Sequence, residues 1–96
     1  MIQSFHDVAT EDIFHGRASK AARKFPLALG SVARRKLDML NAAYQLIDLR
    51  VPPGNHLEAL KGDLKGSHSI RINDQFRIVF RWLDGNAHDV RITDYH

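Results

Sequence analysis

Arg71, Arg77, Arg81 and Arg91 are interleaved with Ile70, Ile72, Phe76, Ile78, Phe80, Trp82, Val90 and Ile92. Successive side chains of a strand point to opposite faces, so an inward apolar set turns all four guanidiniums outward. A guanidinium is planar, always charged and able to donate two parallel hydrogen bonds to phosphate, so such a face suits a polyanion backbone. The alternative is a set of solubility charges, some paired with Asp74, Asp84 or Asp89. Arginine rather than lysine at all four positions favours phosphate. Beside them, Lys61-Gly62-Asp63 and Lys65-Gly66 put glycine next to lysine, but without the spacing of a nucleotide loop; a hairpin turn is the simpler reading.

The chain closes on Asp94-Tyr95-His96, directly after the strand residue Thr93. Histidine titrates near pH 6.5, the range needed to move protons at neutrality, and a neighbouring tyrosine can orient it or donate a hydrogen bond. A terminal strand can be tied into a sheet; the alternative is a frayed end without a role. His6, His15, His56, His68 and His88 form no helical pair and no cluster with carboxylates, so no metal site is expected. Neither a cysteine nor a Gly-x-Ser-x-Gly turn supplies a hydrolase nucleophile.

These residues need elements to hold them. Period-two alternation, with turns at Asn73-Asp74-Gln75 and Asp84-Gly85-Asn86, predicts three antiparallel strands in a meander. Leu57 and Leu60 flank a further short strand, and residues 2–5 suggest an N-terminal one. Thr10 sits where a helix N-cap would, followed by Glu11 and Asp12, so a first helix is expected through about Phe14. Ala33, Leu37, Leu40, Tyr44 and Ile47 recur at helical spacing and predict a second, amphipathic helix with Tyr44 as a core aromatic. Val51-Pro52-Pro53-Gly54-Asn55 ends it as a surface connection. The expected fold class is α+β: a small antiparallel sheet, the three-strand C-terminal meander plus the N-terminal strand, covered on its apolar face by two N-terminal helices.

With 96 residues, 44% of them hydrophobic and 26% charged, the chain allows one soluble domain, residues 1–96. It has no run long enough for a membrane span, and its start lacks the blocks of a secretion signal. The absence of cysteine is compatible with a reducing, cytoplasmic location. Net charge is only +3, so distribution matters more than total. Between Ile13 and Leu37 there is no acid, but Arg17, Lys20, Arg23, Lys24, Arg34, Arg35 and Lys36 occur. These are either a solvated helix surface or a contact for a polyanion.

Three segments carry a family resemblance. The runs from Pro52-Pro53-Gly54-Asn55-His56-Leu57-Glu58 through Ala59-Leu60-Lys61-Gly62-Asp63, and from Ser69-Ile70-Arg71-Ile72-Asn73-Asp74 through Gln75-Phe76-Arg77-Ile78-Val79-Phe80, resemble HigB toxins of the RelE/ParE superfamily, as does the closing Asp94-Tyr95-His96. Ser4-Phe5 and the stretch 33–43 look similar too. The resemblance implies a small sheet packed by two N-terminal helices. It also implies a ribosome-dependent mRNA endonuclease that cuts translated message at the A site, using the RNA's own 2′-hydroxyl and neither metal nor cofactor. A HigA-type helix-turn-helix antitoxin would neutralise it, and the pair would bind operator DNA.

Carried over position by position, the motif makes Arg77 the charge stabiliser with Lys61 assisting, His96 the proton-transfer group, Tyr95 an assistant or RNA-positioning group, and Asp94 an orienting residue. Arg71 would anchor phosphate or ribosomal RNA, with Arg81, Arg91, Lys65 and His56 as further phosphate or RNA contacts. Arg17, Lys20, Arg23, Lys24, Arg34, Arg35 and Lys36 would grip ribosomal RNA. Some HigB proteins carry a histidine where this chain has Glu58, so Glu58, His56 and His96 all stand as possible bases. Two rival functions share the fold: a gyrase inhibitor of ParE type, and a degenerate toxin that only binds its antitoxin.

Overall fold

The computed structural model of the protein describes residues 1–94; Tyr95 and His96 lie outside the described residues. Two helices, α1 (Val8–His15) and α2 (Gly30–Ala42), precede four strands: β1 (Glu58–Ala59), β2 (Ser67–Arg71), β3 (Phe76–Leu83) and β4 (Asn86–Asp94). The strands form one sheet in the order β1-β2-β3-β4, each antiparallel to its neighbour. The α+β two-layer expectation holds.

The core joins Ala33, Leu37 and Leu40 of α2 to Ile70, Ile78, Phe80, Ala87 and Val90 of the sheet. Alternation along the strands therefore sends Arg71 and Arg77 to the opposite face, as the sequence pattern requires. Two turns follow their local chemistry. Asn73 Oδ1 accepts from the backbone N–H groups of Gln75 (2.9 Å) and Phe76 (2.7 Å), bending β2 into β3. Asp84 and Gly85 both hold positive φ (51° and 76°), the conformation a two-residue hairpin needs. The lysine–glycine segment, residues 60–66, is the plain connection between β1 and β2.

Three local expectations change. Asp7, not Thr10, caps α1: its Oδ1 accepts the Thr10 N–H at 2.8 Å, while the Thr10 hydroxyl accepts the Ile92 N–H at 3.0 Å. Burial of the threonine under β4 therefore decided the cap.

The second helix stops at Ala42. Asp48 Oδ2 accepts the N–H groups of Tyr44 (3.1 Å) and Gln45 (2.9 Å), and this capping box starts a separate turn, Leu46–Arg50. Tyr44 is consequently 89% exposed and Ile47 is also exposed, so neither continues the core face.

The N-terminal segment forms two isolated parallel bridges to β4, Ile2 with Ala87 and Phe5 with Val90, rather than a regular strand. Asp89 interrupts the ladder: it adopts φ 53° beside a register shift between β3 and β4, and its N–H is taken by the Ser4 hydroxyl at 2.9 Å. The sheet's regular fourth strand is instead the short Glu58–Ala59 segment.

Candidate functional site: a guanidinium cradle on the open sheet face

Register brings the outward residues together in rows. Arg71 lies directly opposite Arg77, which in turn lies opposite Thr93; Glu58, Ser69, Val79 and Arg91 form the adjoining row. Like charges directly across a sheet repel, so Arg71 and Arg77 require acidic or anionic company. The protein supplies part of it: Arg71 pairs with Asp74, and Arg77 Nη1 lies 3.7 Å from Glu58 Oε1. Arg81 pairs with Asp89 at 3.2 Å. The solubility-charge alternative thus describes a real part of this face, and Glu58 is an acid on it that alternation within β2–β4 did not include.

Arg77 differs from the others in how firmly it is held. Its Nε donates to Ser69 Oγ at 2.8 Å and its Nη2 donates to the His56 carbonyl at 2.5 Å. The side chain is only 12% exposed. His56 follows the 53–55 turn and holds φ 43°, a left-handed conformation in which histidine is among the better-tolerated residues. His56, Glu58, Arg71, Asn73, Asp74 and Arg77 together line a cleft of about 260 Å³. An anion entering it would meet two guanidiniums from neighbouring strands, with charge-assisted hydrogen bonds to gain from each.

The end of β4 lies at the same end of the sheet as the β2–β3 turn. Asp94 pairs in register with Phe76, and its Oδ2 accepts from Gln75 Nε2 at 3.0 Å. Tyr95 and His96 lie outside the described residues. A second cleft, of about 330 Å³, continues along the face and is lined by Lys65, Arg81, Arg91 and His6 together with Asp63 and Asp89. Lys61 is exposed on the connection between β1 and β2 and lines neither cleft.

The basic stretch divides. Lys20, Arg23, Lys24, Arg34 and Arg35 are exposed, and Arg17 pairs with Asp12 at 3.3 Å. Arg17, Arg23, Arg34 and Arg35 rim a groove of about 830 Å³ between the two helices, floored by Ile13, Phe25 and neighbouring apolar residues. Lys36 does not belong with them. It is 6% exposed and donates to the buried Asn55 Oδ1, so it cannot touch ribosomal RNA. The signal was present: Ala33, Lys36, Leu37 and Leu40 form one helical stripe, and Lys36 shares the buried side. Asn55, read as part of a surface connection, is fully buried. Ser69 and Asn73 also went unassigned; alternation puts Ser69 on the arginine face, but only register sets it against Arg77.

Among the described residues no group of three or more His, Cys, Asp or Glu side chains could hold a metal ion. No helix among them is long and apolar enough to cross a membrane.

The same fold occurs in solved structures of low sequence identity. The YoeB–YefM complex from Staphylococcus aureus contains a chain that superposes with a TM-score of 0.61 at 16% identity, covering 100% of this chain and 98% of that one. Residues 3–96 match the family model described as RelE-like toxin of type II toxin-antitoxin system HigB, and the chain belongs to that HigB-like toxin family. It is 42% identical to Toxin HigB-1 of Vibrio cholerae over 87 residues, 91% of this chain and 90% of that protein. It is 32% identical to Endoribonuclease HigB of Proteus vulgaris over 71 residues, 68% of this chain and 77% of the relative. The resemblance read from the motifs is therefore correct.

Proposed function

We propose that this chain is a cytoplasmic endoribonuclease that cuts translated mRNA in the ribosomal A site, arrests growth, and is neutralised by a HigA-type helix-turn-helix antitoxin through which the pair reaches operator DNA. Two findings support the reading: the family is one of type II toxins, and the Proteus vulgaris relative is named an endoribonuclease. The observation that carries it on this chain is the cradle around Arg77, a guanidinium fixed by Ser69 and His56 and facing a cleft shared with Arg71.

Cleavage by the substrate's own 2′-hydroxyl needs three things: a base for its proton, an acid for the leaving 5′-oxygen, and positive charge beside the phosphorus. The 2′-oxygen forms a bond to phosphorus as the bond to the 5′-oxygen breaks, leaving a cyclic phosphate and a 5′-hydroxyl. Arg77 stabilises the charge gathering on the phosphoryl oxygens, and Arg71 holds the same or the adjacent phosphate. Glu58 and His56 stand in the cleft as candidate bases, while His96 serves proton transfer with Tyr95 and Asp94 arranging the RNA around it. Lys61, Lys65, Arg81 and Arg91 guide the strand across the sheet, and the exposed bases between Arg17 and Arg35 hold ribosomal RNA.

Primer extension on translated message tests this. Wild-type protein is expected to cut only when ribosomes are present, and Arg77→Ala to lower the rate by about 10²–10³-fold, the usual cost of losing one fixed charge stabiliser. Antitoxin binding should persist in that variant. Uncut message together with gyrase-dependent DNA breaks would replace this reading with the gyrase-inhibitor one; antitoxin binding alone would leave the degenerate toxin.

A further inference from the structure

The family reading leaves one buried charge without a task. Lys36 makes no ion pair among the described residues; its partner is the neutral amide of Asn55. A lysine buried without a carboxylate costs desolvation energy, and an apolar residue of similar shape would serve the core at least as well. What the pair does is local. Asn55 Nδ2 donates to the carbonyls of Leu49 (3.1 Å) and Val51 (3.4 Å), and its backbone N–H to the Pro52 carbonyl at 3.0 Å. One fully buried side chain thus ties both ends of the 49–55 segment to α2 through Lys36. The next residue is His56, held in the left-handed conformation, whose carbonyl accepts from Arg77 Nη2.

We propose that Lys36 and Asn55 are positioning residues for Arg77: anchored to α2, the 52–56 loop presents the His56 carbonyl to the guanidinium and fixes its direction in the cleft. This rests on the proposed role of Arg77 at the scissile phosphate. The linkage runs from the helical layer, along the buried lysine and asparagine, to the open face. The His56 carbonyl on Nη2 adds a directed hydrogen bond to the restraints that Ser69 at Nε and Glu58 near Nη1 already supply, so less reorganisation is needed as charge develops.

The test is single-turnover cleavage of translated message by the full chain, with a double-mutant cycle. Asn55→Ala should lower kcat by about 10–100-fold, the scale of a small misplacement of a catalytic group. KM should stay within about threefold, since the lost contact acts on the transition state more than on binding. Lys36→Met, which keeps the stem of the side chain, should behave alike and serves if Asn55→Ala does not fold. In an Arg77→Lys background, where no second nitrogen reaches His56, the loss from either change should shrink below about twofold. Equal losses in both backgrounds, or losses that follow the unfolded fraction seen by circular dichroism, overturn the proposal. If Arg77→Lys cuts at the wild-type rate, the role of Arg77 itself falls and takes this inference with it. A further measurement needs no substitution: rotation of the Arg77 guanidinium about its Nε–Cζ bond should be slow by NMR, and free averaging overturns the proposal too.

Discussion

Chemistry at the residue scale depends on how few degrees of freedom each charged group keeps. Arg77 is restrained at both Nε and Nη2, whereas Arg81 meets one aspartate on an exposed surface, where an ion pair contributes little. Lys36 is the clearest case of a burial cost. Desolvation, with a smaller push from the charge of Arg35, holds its amine below the ordinary value of 10.5. The folded protein therefore binds that proton less tightly than the unfolded chain. Stability attributable to Lys36 should rise with pH across the interval from its lowered value up to about 10.5. Urea denaturation of wild type and Lys36→Met between neutral pH and pH ~10 should show a steeper rise for wild type; parallel curves would show that the lysine is not desolvated in solution. Asp12 shifts the same way, downward, but because its charged form is stabilised rather than desolvated. The hydrogen bond from Ser19, aided by Arg17, lowers its carboxyl below 3.8, so its contribution is full above that value and lost in acid.

Element boundaries were decided by competition between local signals. Helix α1 ends at Gly16, whose φ of 70° lets its N–H reach the carbonyls of Asp12 and Ile13. A Cβ on that glycine would stand 2.7 Å from Arg34 Nη1, so α2 leans its arginine into the gap the missing side chain leaves. Gly16→Ala should therefore cost about 1 kcal/mol from backbone strain, plus whatever Arg34 loses by moving. In a domain of this size thermal denaturation should fall by about 4–8 °C. An unchanged melting temperature would mean that the turn relaxes. At the other helix, the Gln45–Asp48 capping box overrode the apolar spacing that carried the sequence reading on to Tyr44 and Ile47. A short-range hydrogen-bonded stop competed with a periodic pattern, and the pattern carried no information about where it ended.

For the molecule as a whole, charge is sorted by layer. The open sheet face balances much of its own positive charge through Asp74, Glu58 and Asp89. The helical layer leaves Arg23, Arg34 and Arg35 around its groove without ion pairs among the described residues. If that layer grips ribosomal RNA, affinity should fall as salt rises, and Arg34→Ala with Arg35→Ala should reduce the salt slope by about 1 for each arginine. Filter binding at several potassium concentrations measures it. An affinity that ignores salt removes RNA from the groove.

Periodicity and composition were enough for the α+β class, the meander, both hairpin turns and the arginine face. All of these follow from side-chain alternation and turn chemistry, which act over a few residues. The motifs were enough for the family. What neighbours along the chain could not specify was which outward groups would meet. That Glu58 and Ser69 close on Arg77, that the His56 carbonyl turns toward it, and that Lys36 goes inward to Asn55 depend on strand register and on packing between segments far apart in sequence. Local propensity is blind to such contacts because their energy exists only once the layers have come together.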